Sequence, residues 1–154
     1  MSQISERRVV ACPYNLAQGY LAHIIGAKVT SPSTLTLTLS LPGAELAQEV
    51  VVTYSAAIDP MHFDQPWSMR WKPKAGPYPE FDGELTVRAD ETYASSQLEL
   101  QGSYRPPGGV AGAAFDAAIG NRIARATAQA LLERFGTEME RRYAAEEKSK
   151  AGSA

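Results

Sequence analysis

All ten prolines fall at or before Pro107, and the 47 residues after it contain none. Proline lacks a backbone N–H and its ring clashes with the preceding helical turn, so it marks strand ends and loops and breaks helix interiors. The chain therefore divides into a front region of short regular segments and a rear region free to form one long helix.

The front region is written mostly in period two. Leu35, Leu37, Leu39 and Leu41 alternate with Thr34, Thr36, Thr38 and Ser40, and Pro42-Gly43 stops the run. Val50, Val52, Tyr54, Ala56 and Ile58 share one face of the next segment, with Thr53 and Ser55 opposite. Trp67, Met69 and Trp71 alternate with Ser68, Arg70 and Lys72. Phe81, Gly83, Leu85 and Val87 alternate with Asp82, Glu84, Thr86 and Arg88. Leu98, Leu100, Gly102 and Tyr104 alternate with Gln97, Glu99, Gln101 and Ser103. Such alternation predicts half-buried strands. With no helix between them they pair antiparallel, one sheet face toward water. Ahead of them, residues 8–14 read as a short first strand with Pro13 near its end. Asn15 as N-cap, with Gln18 in capping-box position, opens a helix of roughly ten residues that carries Tyr20, Leu21, Ile24 and Ile25 and stops at Gly26.

Behind Pro106-Pro107-Gly108-Gly109, the pattern predicts a long helix over residues 112–143. Phe115, Ile119, Ile123, Thr127, Leu131, Phe135, Met139 and Tyr143 recur every fourth residue. Four residues overshoot a 3.6-residue turn by about 40°, so this row winds around the helix. Gly120, Ala124 and Ala128 fill the face between its ends. At Gly136 two readings stand open: an unbroken helix, or a stop followed by a restart at the capping box of Thr137 and Glu140. Residues 144–154 are small and charged and are expected to be a disordered tail.

Composition narrows the class of function. A chain of 154 residues with 44% hydrophobic side chains suits one globular domain rather than a disordered one. The formal net charge is −2, and after Pro107 7 basic residues face 6 acidic ones, so no basic field invites nucleic acid. The longest apolar run, residues 20–25, is far short of the roughly 18 residues of a membrane helix. The N-terminus lacks the apolar region of a secretory signal, which makes the lipobox-like Val9-Val10-Ala11-Cys12 a chance match. One cysteine cannot form an internal disulfide, and Cys12 reads as a small core residue, so a cytoplasmic location is expected.

The order of elements is strand, short helix, antiparallel strands, long C-terminal helix. The stretch Tyr78-Pro79-Glu80-Phe81-Asp82-Gly83-Glu84-Leu85-Thr86-Val87 runs on to Leu98-Glu99-Leu100-Gln101-Gly102-Ser103-Tyr104-Arg105-Pro106-Pro107-Gly108 and into residues 112–132. Together these resemble the START-like superfamily, which includes polyketide cyclase-like and lipid-transfer proteins. The resemblance implies an α+β helix-grip domain over residues 5–143, a curved antiparallel sheet wrapped around the C-terminal helix. It also implies an apolar cavity between sheet and helix. Members usually carry two short helices between the first two strands, and this sequence shows one.

On that reading the expected partner is an apolar or amphipathic small molecule, with no cofactor, no metal and no catalytic residue assigned. Tyr54, Trp67, Met69, Trp71, Leu85, Leu100 and Tyr104 would line the cavity from the sheet, and Phe115, Ile119 and Ile123 from the helix. Asp59, His62 and Asp64 combine a histidine with carboxylates, but their spacing matches no metal signature and Pro60 and Pro66 mark a loop. His23 reads as a partly buried structural histidine. Two alternatives belong to other classes. A cyclase- or hydrolase-type enzyme would need a titratable pair inside the cavity, and the inward rows as read contain none. A protein-interaction module could form a homodimer through Phe135, Met139 and Tyr143 of the C-terminal helix.

Overall fold

The computed structural model describes residues 2–26, 33–41, 44–56, 67–74, 79–105 and 117–152. Among these residues, six strands and two helices follow in the order β1 Ser2–Val10, α1 Tyr14–Gly26, β2 Ser33–Leu41, β3 Ala44–Ala56, β4 Trp67–Pro73, β5 Glu80–Ala89, β6 Ser96–Arg105 and α2 Ala117–Gly152. The strands form one antiparallel sheet in the order β1-β6-β5-β4-β3-β2. Both sheet edges reach the same helix. Glu6 of β1 pairs with Arg125 of α2 at 2.6 Å, and Arg134 of α2 donates to the Thr36 carbonyl of β2 at 3.1 Å. A sheet whose opposite edges touch one helix must curl around it, and this is the α+β helix-grip architecture.

The concave face is built from the alternating rows. Tyr54, Met69, Gly83, Gly102 and Ile4 lie in one cross-strand row, and Val52, Trp71, Phe81 and Tyr104 in the next. The glycine pair makes room for an aromatic ring. A Cβ added to Gly83 or Gly102 would meet the Phe81 ring as well as neighbouring backbone carbonyls. Phe81 thus lies over the two glycines, and Trp71 stacks on it with ring centroids 4.2 Å apart. The convex face is polar: Arg70 pairs with Asp82 at 3.1 Å, and Arg7 with Glu99 at 2.8 Å.

The first strand differs from its expectation. It spans Ser2–Val10, and the chain has left the sheet before Pro13, whose carbonyl accepts the Leu16 and Ala17 N–H groups at 3.0 Å to start α1. The reason is chemical. The inward row of β1 is Ile4, Glu6, Arg8 and Val10, so its apolar alternation is interrupted by charges that α2 satisfies. Glu6 accepts from Arg125 and from Gln129, the latter at 3.0 Å, while Arg8 meets Glu133 at 2.8 Å and Glu140 at 3.0 Å. The inward row of β1 therefore carries two charged groups, Glu6 and Arg8, both held in ion pairs across the sheet–helix interface. In α1, Gln18 donates to the Tyr14 hydroxyl at 2.8 Å rather than closing a capping box.

Helix α2 is unbroken through Gly136. Its fourfold row is buried as expected: Ile123, Thr127, Leu131, Phe135 and Met139 are at most 4% exposed. Gly136 has a packing role, because a Cβ there would run into the Arg8 guanidinium. Residues 144–152, expected as a tail, continue the helix. Tyr20 of α1 donates to the Glu146 carboxylate, and Lys150 pairs with Glu147 at 3.5 Å. Phe135 and Met139, the anchors of the homodimer alternative, are buried within this chain. Among the described residues no helix is long and apolar enough to cross a membrane.

Candidate functional site

Three elements meet beside the middle of α2. Ile24 and His23 come from the last turn of α1, Tyr54 from the inward row of β3, and Leu131, Arg134, Phe135, Glu138 and Arg142 from α2. They enclose a cavity of about 560 Å³, with Glu133 and Thr137 also on its wall. Each is placed by periodicity. Leu131 and Phe135 stand one helical turn apart on the buried row, and Glu138 and Arg142 repeat that spacing on the rim beside it.

The floor is apolar. Ile24, Tyr54, Leu131 and Phe135 are 7%, 6%, 1% and 4% exposed, and the Tyr54 and Phe135 rings meet edge to face at 6.0 Å. Tyr54 brings a hydroxyl to this floor. The Tyr54 hydroxyl is buried and has no hydrogen-bond partner among the described residues. Burial pushes its pKa well above the usual phenol range, and the Arg134 charge draws it partly back. It is therefore a neutral phenol that can donate or accept. Buried polar atoms in proteins are overwhelmingly paired, so an orphan in a cavity wall points to an occupant.

The rim is charged and internally balanced. Glu138 accepts from Arg141 at 2.6 Å and from Arg142 at 3.0 Å, and the Arg141 hydrogen bond holds its carboxyl down at about 2. His23 and Arg142 are shared with a neighbouring groove of about 680 Å³ between α1 and the C-terminal turns of α2, which Tyr20 and Glu146 also line. Tyr20, hydrogen-bonded to Glu146, has its pKa pushed up to about 12. A molecule seated against Tyr54 would thus meet a polar rim whose His23 and Arg142 also line a second groove.

Of the ten side chains expected to line a cavity, Tyr54 lies on this one. Met69, Trp71, Leu85 and Leu100 are at most 1% exposed and Tyr104 and Ile123 4%, all within the core, while Trp67 is half-buried against it. The Trp71 indole is fully engaged, stacked on Phe81 and donating to the Pro79 carbonyl at 3.1 Å. Phe115 lies outside the described residues, as do Asp59, His62 and Asp64. Ile119 belongs to α2, but its side chain is outside what the structure describes. His23, expected to be partly buried, is exposed at the cavity mouth. Ile24, Leu131 and Phe135 were legible as apolar helix positions, yet nothing in their spacing distinguished a cavity floor from a packed core. Cys12 is fully buried with its pKa raised to about 11, by burial first and then by Glu140 and Glu146. That is an inert thiol rather than a nucleophile.

No family model matches the chain. A comparison with curated proteins finds no match. Among solved structures, the chain is similar to the crystal structure of a protein from Thermus thermophilus. The TM-score is 0.53 at 8% identity, over 90% of this chain and 97% of that one. At that identity the likeness speaks for the fold alone.

Proposed function

We propose that this chain is a START-like domain that binds an apolar or amphipathic small molecule in the cavity between β3 and α2, without changing it covalently. The observation that carries the reading is Tyr54, which lines the cavity of about 560 Å³ and whose buried hydroxyl has no hydrogen-bond partner among the described residues. Leaving a buried hydroxyl unpaired costs about 1–3 kcal/mol, which a polar group of a bound molecule would recover. The apolar body would rest on Ile24, Leu131 and Phe135. Burying about 200 Å² of it contributes roughly 5 kcal/mol before the cost of association. A polar end would face His23 and Arg142. The volume lies within the range of small-molecule sites, which are mostly apolar with a few placed polar groups. The buried single thiol fits a reducing compartment, so the reading includes a cytoplasmic location.

Isothermal titration with long-chain fatty acids, sterols and aromatic polyketides tests it. At least one class should bind, and Tyr54→Phe should weaken a ligand with a hydrogen-bonding head about tenfold. Absence of binding by every class, together with no displaceable uptake of an anilinonaphthalene probe, would overturn the reading.

A further inference from the structure

Two flanks of α2 carry different balances of charge. On the flank toward β1, Glu133 and Glu140 meet Arg8 at 2.8 and 3.0 Å, and Glu140 also accepts from the Ala11 N–H at 2.9 Å. Glu133 touches the cavity as well, but Arg8 holds both of its carboxylate oxygens. The flank toward α1 is a row spaced by four residues, Arg134, Glu138, Arg142 and Glu146, with Arg141 beside it.

On this second flank three guanidinium groups are set against two carboxylates. Glu138 is shared by Arg141 at 2.6 Å and Arg142 at 3.0 Å, while Glu146 accepts from Tyr20. Among the described residues Arg134 pairs with no carboxylate and donates to the neutral Thr36 carbonyl at 3.1 Å. The neighbouring elements do not correct the balance. α1 contains no acidic residue and contributes His23, and β2 is composed only of serine, threonine and leucine. The surplus runs against the chain as a whole, whose formal charge is −2. It also stands beside an apolar floor, since Arg134 and Arg142 line the same cavity as Ile24, Leu131 and Phe135.

We propose that the occupant of this cavity is a carboxylate-headed amphiphile whose charge is read by Arg134 and Arg142. This rests on the reading of the cavity as a small-molecule site and names the class of molecule. The apolar floor takes the tail, and the row of guanidinium groups takes the head. A single surplus charge matches a carboxylate, whereas a phosphate monoester brings nearly two negative charges. The planar fork of a guanidinium also fits the two oxygens of a carboxylate. A guanidinium has five N–H donors, so neither the Arg134 bond to Thr36 nor the Arg142 bond to Glu138 exhausts its capacity.

Equilibrium dialysis of the full chain against dodecanoate, dodecanol, dodecylamine and dodecyl phosphate at pH 7 tests this, because the tail is constant and only the head changes. Dodecanoate should bind about tenfold more tightly than dodecanol, the contribution of a hydrogen bond to a charged group. Dodecylamine should bind more weakly than either, and dodecyl phosphate no more tightly than dodecanoate. Arg134→Gln combined with Arg142→Gln should bring the acid level with the alcohol and leave the alcohol unchanged, whereas the paired Arg→Lys changes should keep the preference. In the wild type, the advantage of acid over alcohol should shrink as salt rises from about 50 to 500 mM, a readout that needs no variant to fold. A cavity that binds dodecanol as tightly as dodecanoate would overturn this proposal and leave the small-molecule reading standing. A preference that survives both glutamines, or a phosphate bound tenfold more tightly than the acid, would overturn it too. Binding of none of the four would overturn the proposal and the reading beneath it together.

Discussion

Tyr54→Phe removes one oxygen and nothing else. The ring stays 6.0 Å from Phe135 in its edge-on contact, and the apolar floor is intact. If the hydroxyl is unpaired, the folded state carries its desolvation cost of about 1–3 kcal/mol while the unfolded chain hydrates it. The substitution should therefore stabilise the empty protein, by about 1–2 kcal/mol. For a domain of this size each kcal/mol moves Tm by about 2–4 °C, so a rise of about 2–8 °C is expected. Tyr54→Ala makes the contrast: it deletes the ring and should cost about 3–5 kcal/mol. Thermal and urea unfolding followed by circular dichroism would measure both. A second readout is the tyrosinate absorbance titration. With its pKa raised by burial, Tyr54 should stay protonated after an exposed tyrosine has ionised. The sign follows from linkage: a raised phenol pKa contributes stability that is whole below the unfolded value of about 10 and is lost as pH climbs toward the folded one. A Tyr54→Phe variant that loses 1 kcal/mol or more would refute the reasoning, since it would mean the hydroxyl is already well paired.

Gly136→Ala should destabilise by no more than about 1 kcal/mol, because the new Cβ meets the flexible end of Arg8 and moves it from Glu133 and Glu140. In an Arg8→Ala background the same change should instead stabilise by about 0.5–1 kcal/mol, the helix-propensity gain, and a double-mutant cycle by urea unfolding would show the reversal. Acid should loosen α2. Glu138 is held at about 2 by Arg141 and then Arg142, and Glu133 is lowered by Arg8, so their contribution is whole above the unfolded carboxylate value of about 4.3 and is lost toward pH 2. Helicity at 222 nm should fall across that window, and the Glu138→Gln variant should show a smaller fall. Cys12, fully buried with its pKa raised to about 11, should resist iodoacetamide in the native protein at pH 8 and react at once in urea, as mass spectrometry would show.

Much of the architecture was legible because its signals are local. Leu98, Leu100 and Tyr104 alternate within one strand, and Ile123, Leu131, Phe135 and Met139 repeat along one helix, so each burial follows from spacing within a few residues. The charged end of the first strand was not legible. Glu6 and Arg8 look like solvated positions until their partners are known, and those partners lie 119 to 132 residues away. For the same reason the last turns of α2 read as a tail, although Tyr20 of α1 anchors them through Glu146. The site divides the same way: Tyr54 was marked by a hydroxyl at an inward position, whereas His23 and Arg134 took their places only when α1 and β2 closed against α2.

The sequence by itself determined that a sheet of alternating strands would be followed by one long helix, because strand period and proline exclusion act on neighbouring residues. Only the tertiary structure decided that Gly136 would admit an arginine from the opposite end of the chain, that Trp71 would be sealed beneath Phe81, and that Tyr54 would line a cavity with its hydroxyl unpartnered among the described residues. Those outcomes depend on which surfaces meet across the fold, and hydrophobic spacing along the chain carries no record of that.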